Sequence, residues 1–165
     1  MQFAKDSFYV ALRTRLAQLN PSRTMSVNGM TRPGILVNEN ERPGLQDLLL
    51  AVFCVNWGAE STIAAPPGKT ALHLLECTIE YRVDGTDSNG NADRGRQLTA
   101  MDMELMRMCS PPLAPVSDYT QSPAAPLGTT IFWTAPKLAA PKSEGKLLTR
   151  SATLQLYYFP EGQPA

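Results

Sequence analysis

The sequence predicts an α+β fold, in which a small mixed or mainly antiparallel sheet carries two principal helices and is connected by long proline-rich loops. Apolar residues occupy every odd position from 75 to 83, which is typical of a strand with one buried face. Residues 148–158 alternate in the same way and predict a second long strand. Between these strands, over residues 92–109, the apolar period becomes helical, through Leu98, Met101, Leu105 and Met108.

The amino-terminal third of the chain predicts a helix followed by a hairpin. Apolar residues recur on one helical face over residues 8–19, with Asp6 or Ser7 as the expected cap. Asn20 precedes a proline, and this pair is expected to end the helix. An Asn28-Gly29 pair between two short alternating segments then predicts a hairpin.

The remaining segments predict short strands and long connections. Residues 48–57 are apolar and uncharged, which predicts a buried strand, with a helix over 45–51 as the alternative. Residues 58–70 are expected to form a loop, and residues 129–134 a short strand. Proline and small residues predict two extended loops, at 110–128 and 135–146.

Length, charge and cysteine content limit the class of protein. The 165 residues are expected to form a single domain over 1–165, and fifteen basic residues balance fifteen acidic ones, which argues against a nucleic-acid-binding tail. Three cysteines cannot all pair within one chain, so we expect reduced core thiols. The sequence shows no signal-peptide pattern, and its longest apolar run, 48–55, is far shorter than the roughly 20 residues that span a bilayer. A soluble intracellular product is expected.

Two short motifs resemble ligand-binding loops but lack essential positions. The sequence PPGKT at 66–70 would need a glycine at position 63 to form a phosphate-binding loop, and Ile63 stands there. A calcium loop with Gly90 in its turn position would place Gly85 and Arg96 at the two most demanding ligand positions. A solvated turn is therefore expected before the second helix, with Asn91 or Asp93 as the helix cap.

Few residues offer catalytic chemistry. His73 is the single histidine, so no multi-histidine metal site can form within one chain. It could serve as a lone general base, but the sequence shows no nucleophile paired with it. Glu76 and Glu80 share a strand face and could bind a metal or act on a substrate, but solvation or pairing across an assembly is the more usual use of such carboxylates. We expect no catalytic residue, no metal site and no cofactor.

Arg94, Arg96 and Arg107 flank the second helix, and two interpretations remain open. They can form an exposed face paired with Asp93, Asp102 and Glu104 of the same helix. They can instead contact an acidic neighbouring subunit.

Three segments accompany this order of elements: FYVALRTRL at 8–16, RPGILVNEN at 32–40 and TIEYRV at 78–83, which leads through a loop into the second helix. Together with a pattern of helices and strands that covers most of the chain, they resemble the tail terminator, or tail-completion (head–tail joining), proteins of long-tailed bacteriophages.

This resemblance implies a virion structural protein, not an enzyme. Such a protein assembles in the host cytoplasm as a homohexameric ring on the last ring of the tail tube protein. It stops tube growth and docks to a head-side neck or connector protein. The resemblance further implies no specific nucleic-acid binding, although DNA can pass through the ring, and no membrane partner. The two proline-rich loops would contact partners, and the candidate interface residues are Glu76, Glu80, Arg82, Arg94, Arg96 and Arg107.

Three alternatives remain open at this point. The chain can be another neck or tail-tube component. It can be a small intracellular enzyme or ligand-binding domain that uses Glu76, Glu80 and His73. It can also be a loop-rich monomer whose long connections serve no partner.

Overall fold

The structure, a computed structural model, describes residues 1–27, 29–40 and 49–160. It confirms the predicted α+β class, with two helices and a mixed sheet. The helices are α1 (Gln2–Leu19) and α2 (Arg94–Met108). The strands are β1 (Thr24–Val27), β2 (Met30–Pro33), β3 (Ile35–Val37), β4 (Phe53–Ile63), β5 (Leu72–Val83), β6 (Leu113–Asp118), β7 (Ala125–Trp133), β8 (Lys137–Leu138), β9 (Lys142–Glu144) and β10 (Leu147–Tyr158).

The last strand, β10, organises the main sheet. The strand order is β3-β4-β5-β10-β7-β6, and β8 and β9 also pair with β10. One edge of β10 is antiparallel to β5 from Leu148 to Tyr158, while its other edge meets β7, β8 and β9 in turn. Only β3 and β4 run parallel within the described sheet, and β1 and β2 form a separate hairpin.

The alternation predicted for the two long strands is confirmed. The odd-numbered residues of β5 from Leu75 to Val83 are buried, and Ala152, Leu154, Leu156 and Tyr158 of β10 are buried beside them. Both helices pack on this face, so the sheet has one apolar side against the helix layer. Leu105 of α2 is fully buried in this core, as the helical spacing predicts.

Aromatic contacts join α1 to both halves of the sheet. Phe8 meets Trp57 and Trp133 edge to face, with ring centroids 5.8 and 5.0 Å apart. Phe53 and Tyr81 make a similar contact at 5.2 Å. Such edge-to-face pairs contribute about 0.5–1.5 kcal/mol each beyond the burial of their area, and these contacts fix α1 across the sheet.

The start of α1 differs from the prediction. The helix begins at Gln2, so neither Asp6 nor Ser7 caps it. Asp6 accepts a hydrogen bond from the Gln2 amide at 2.8 Å, and Ser7 is buried, where its hydroxyl accepts the backbone N–H of Ser117 at 3.0 Å. The helix ends where expected, at Asn20.

The strand predicted over residues 48–57 lies further along the chain. The structure places β4 at Phe53–Ile63, so half of the loop predicted over 58–70 is strand, because the long β5 offers pairing partners as far as Leu72. The predicted strand begins at Leu48, which lies outside the described residues, as do residues 45–48 of the alternative helix. The described residues 49–51 are not helical.

The predicted hairpin is present as β1 and β2, which pair from Thr24–Pro33 to Val27–Met30. Gly29 has a φ of +79°, which suits the tight turn, while Asn28 lies outside the described residues.

The prediction of loops at 110–128 and 135–146 is wrong in large part. These ranges contain β6, β8, β9 and the first residues of β7. The prolines in and beside these strands led the sequence pattern to predict loops. Pro115 nevertheless lies in β6, because β6 is an edge strand, where a missing N–H donor is tolerated. Residues 119–124 remain as a turn between β6 and β7.

Candidate interaction surfaces

The second face of the central sheet carries polar side chains. Glu76, Thr78, Glu80 and Arg82 alternate with the buried residues of β5, and Thr153, Gln155 and Tyr157 lie beside them on β10. In the described part of the chain, no helix packs on these residues, since α1 and α2 both lie on the apolar side. We call this surface the uncovered face. It has the polar pattern that the sequence predicts for β5.

The hairpin covers only the margin of this side of the sheet. Leu36 of β3 points away from the main core and packs with Met25 and Val52 in a small separate cluster. Cys54 lies at the border of this cluster and pairs in register with Glu80. The hairpin therefore leaves β5 and β10 open across the middle of the sheet.

A shallow cavity of about 200 Å³ lies in the uncovered face. Its polar lining combines the carboxylate of Glu76, the ammonium of Lys137, the carboxamide of Gln155 and three threonine hydroxyls, at Thr78, Thr134 and Thr153. The Thr134 hydroxyl accepts the backbone N–H of Gln155 at 3.0 Å, which joins the β7–β8 connection to β10. The cavity can accept a polar side chain more readily than an apolar ligand.

An aromatic pair extends the uncovered face toward β7. Phe132 and Tyr157 are register partners, and their rings stack with centroids 5.1 Å apart and planes 8° from parallel. Phe132 is 42% exposed, and Leu113, its partner on β6, is also exposed. Large apolar side chains clustered on a polar face are typical of a surface that binds another protein.

The two acidic residues of the uncovered face, Glu76 and Glu80, form no salt bridge within the described chain. Arg82 follows two residues after Glu80 on the same face, and Lys137 lies in the cavity beside Glu76. The face therefore presents two carboxylates between two cations.

The predicted pairing of Arg94, Arg96 and Arg107 with acids of α2 is wrong. Arg94 donates instead to the backbone carbonyl of Gly145 at 3.0 Å. Arg96 and Arg107 are exposed and make no hydrogen bond or salt bridge with any described residue. The reason is that the three acids expected to pair with them are engaged elsewhere.

Asp93 is the N-cap residue of α2, as one of the two predicted alternatives, but its carboxylate does not bind the helix amides. It accepts the backbone N–H and the hydroxyl of Thr86 at 2.7 and 2.6 Å, and the Gln97 amide at 3.1 Å. The hydrogen bonds from Thr86 hold the pKa of the Asp93 carboxyl below its usual range. Asp93 thus fastens the loop between β5 and α2.

Asp102 points into the core, where it forms a buried polar group that the sequence did not predict. The Tyr81 hydroxyl donates to its carboxylate at 2.5 Å, and Nε of Arg150 lies 3.4 Å from the same oxygen. That nitrogen makes no hydrogen bond of good geometry, so its contact with Asp102 is electrostatic. Burial raises the pKa of Tyr81 well above its ordinary value, and the hydrogen bond to Asp102 adds to the shift.

Glu104 ties α2 to the chain that follows α1. It forms a salt bridge with Arg23 and accepts the Asn20 amide at 2.7 Å. Arg23 also donates to the carbonyl of Ala51 at 3.0 Å and lies over the Phe53 ring, 5.9 Å from its centroid. Three separate segments meet at this arginine, and its salt bridge makes Glu104 unavailable to Arg107.

The residues that an enzyme would use are not brought together. His73 shares the helix-facing side of β5 with Leu75, whereas Glu76 and Glu80 lie on the uncovered face. The His73 ring lies 2.8 Å from a carboxylate oxygen of Glu60, which also accepts the Tyr158 hydroxyl. The hydrogen bond from Tyr158, followed by that of His73, lowers the pKa of Glu60. This cluster contains no nucleophile activated by the imidazole.

The three cysteines are unpaired in the structure. Cys77 and Cys109 are buried core thiols, as predicted, and burial raises the pKa of Cys109 to about 12. Cys54 is half-buried at the margin of the uncovered face. Within residues 1–27, 29–40 and 49–160, no group of three or more histidine, cysteine or acidic residues is placed to hold a metal ion.

None of the described helices is long and apolar enough to cross a membrane. A scan of protein-family models and a search of curated proteins found no match to this chain. The uncovered face and the exposed arginines of α2 are the candidate interaction surfaces of the described residues.

Proposed function

We propose that this protein is a virion structural protein that forms a ring at the end of a phage tail tube, where it terminates tube growth and joins the tail to the neck. The three sequence segments that resemble tail terminators support this assignment, and so does the α+β fold with two helices on one side of the sheet. Its partners are further copies of itself, the tail tube protein and a head-side neck or connector protein.

The uncovered face is the observation that carries the proposal. The central strands β5 and β10 show one face to the helices, while the other presents the stacked pair of Phe132 and Tyr157 beside two carboxylates without a described cation partner. Antiparallel sheets often leave a polar face to water, but the exposed aromatic pair distinguishes this face and favours its burial against a neighbour, as in a ring subunit.

The structure of the β6 edge favours association of copies through the faces of their sheets, and not by pairing of their edge strands. At β6, Pro115 cannot donate a hydrogen bond to an added strand, and the N–H of Ser117 is taken by the Ser7 hydroxyl. Copies are thus hindered from joining edge to edge into an open-ended sheet along β6. A protein that ends a tube has the same requirement, because it must close on itself and recruit no further layer.

The proposal has a direct test in purified phage particles. Mass spectrometry of the particles should find this chain in about six copies per tail, and a cryo-electron microscopy reconstruction should place it between the tube and the neck. A mutant phage that lacks the chain should produce tails of irregular length that do not join heads. Supplying the chain from a plasmid should restore normal particles.

Two results would overturn the proposal. The chain can be missing from purified particles although it is expressed, or it can lie elsewhere in the particle. The second result would assign it to the tail tube or to another neck layer. A turnover lost on mutation of His73 or Glu76, in a chain missing from particles, would favour the enzyme alternative.

A further inference from the structure

The outer side of α2 carries a stripe of four exposed residues: Arg96, Ala100, Met103 and Arg107. At 3.6 residues per turn, these positions fall within about 60° of one another around the helix axis. They lie opposite the buried side formed by Leu98, Met101 and Leu105. We call this surface the arginine stripe.

The stripe combines apolar and basic character in an unusual way. Met103 is 52% exposed, and Met106 beside it is 40% exposed. Two large apolar side chains exposed next to each other on a helix are typical of a surface that binds a partner, and the flexible methionine side chain adapts readily to such a partner. Arg96 and Arg107, at the two ends of the stripe, have no acidic partner in the described chain because the acids of α2 bind elsewhere. The stripe thus lacks a partner in both its apolar and its charged parts.

The uncovered face offers complementary charges at a matching distance. Glu76 and Glu80 are four residues apart on a strand, which places their Cα atoms about 13 Å apart. Arg96 and Arg107 are eleven residues apart on a helix, or about 16 Å. The long arginine side chains span this difference, and Thr78 lies between the two glutamates as Met103 lies between the two arginines.

We propose that the arginine stripe of one copy docks on the uncovered face of a second copy, with Arg96 and Arg107 paired to Glu76 and Glu80. Lys137 and Arg82 flank the acidic pair, so a shift along β5 brings like charges together and the register is fixed. The stripe faces away from the sheet on the helix side, and the uncovered face points to the other side. The contact is therefore heterologous and repeats from copy to copy.

The closure of these repeated contacts into a ring rests on the proposed function, whereas the pairing of the two surfaces does not. Two variants, each with two charge reversals, test the pairing. The stripe-reversed variant is Arg96→Glu with Arg107→Glu, and the face-reversed variant is Glu76→Arg with Glu80→Arg. A matched control reverses two other exposed cations, with Arg13→Glu and Lys69→Glu. All six positions are at the surface or half-buried, and circular dichroism verifies folding.

Sedimentation velocity over a concentration series measures self-association of each variant. Either reversed variant alone should associate at least about tenfold more weakly than wild type, because like charges then meet at every contact. An equimolar mixture of the two reversed variants should recover association, since each stripe meets an oppositely charged face. Such a mixture closes only rings with an even number of subunits, and six satisfies this. The control variant should match the wild type.

The pairing is overturned if the wild type does not associate, if either reversed variant associates as wild type does, or if the mixture fails to recover. If the stripe-reversed variant loses association while the face-reversed variant keeps it, the stripe binds a different acidic surface, and the proposed pairing is also overturned. The same variants are then supplied to the phage that lacks the chain. Normal particles from a reversed variant would reject the pairing and leave the proposed function intact. A chain missing from particles, with recovery in the mixture, would reject the function and leave the pairing intact.

Discussion

Replacement of Asp102 by alanine should destabilise the protein strongly, because this carboxylate holds two buried groups in place. The Tyr81 hydroxyl donates to it at 2.5 Å, and Arg150 lies 3.4 Å away on the neighbouring strand. Asp102 is only 8% exposed, so water cannot replace the lost oxygens without a rearrangement of α2. The change leaves a buried hydroxyl without an acceptor and a largely buried guanidinium without its counter-ion.

The expected loss follows from these two consequences. An unsatisfied buried hydroxyl costs about 1–3 kcal/mol, and the removal of one partner from a buried ion pair costs about 3–5 kcal/mol. The two costs overlap because both groups share one carboxylate, so we expect a total loss of about 3–5 kcal/mol. Urea denaturation measures it as a lower midpoint with an unchanged slope.

A compensated variant separates the charge from the packing. Asp102→Leu with Arg150→Met removes both charges and restores apolar volume, and we expect it to be more stable than Asp102→Ala by at least about 1 kcal/mol. Glu144, an exposed acid of β9, gives a matched control, and Glu144→Ala should change stability by less than about 0.5 kcal/mol. A loss below about 1 kcal/mol for Asp102→Ala would refute the structural role given to this carboxylate.

Three further predictions concern the core, one titrating group and one turn. Leu105→Ala should lower the free energy of unfolding by about 2–5 kcal/mol in urea, because Leu105 is fully buried. The Tyr158 hydrogen bond lowers the pKa of Glu60, so the ionised carboxylate stabilises the fold above the unfolded pKa, and this stabilisation is lost as acid protonates the folded carboxyl. Between about pH 6 and pH 3, Glu60→Gln should therefore lose less stability than the wild type does. Gly85→Ala should lower the thermal midpoint more than Gly90→Ala, because both have positive φ but only at Gly85 would a Cβ atom lie 2.8 Å from backbone.

The long strands and the core of α2 could be predicted from the sequence because their periods are strong. β5 and β10 each alternate over most of their length, and the buried positions of α2 match the helical spacing. β6, β8 and β9 could not be predicted, since they are short, contain or adjoin prolines, and exist by pairing with β7 or β10. Such pairing depends on residues distant in sequence, which a local pattern does not contain.

The candidate surfaces were likewise predicted only in part from the sequence. The polar side of β5 follows from its alternation, and the structure places Glu76, Glu80 and Arg82 there. The partners of the acids on α2 could not be predicted, because helical spacing alone favours pairing with the nearest arginines. One signal was available in the sequence: Arg150 occupies a position of β10 where the alternation requires an inward side chain, so an acidic partner in the core was to be expected.

The central position of β10 has a consequence for the order of folding during synthesis. β10 separates β5 from β7 in the sheet, yet it follows every other described element in the chain. During synthesis, both halves of the sheet therefore leave the ribosome before the strand that joins them. The apolar side chains of β5 lack their neighbours on β10 until that strand emerges. An interrupted chain that stops before residue 147 lacks this joining strand and cannot complete the uncovered face. On the proposed function, such incomplete chains would be excluded from the ring without a separate proofreading step.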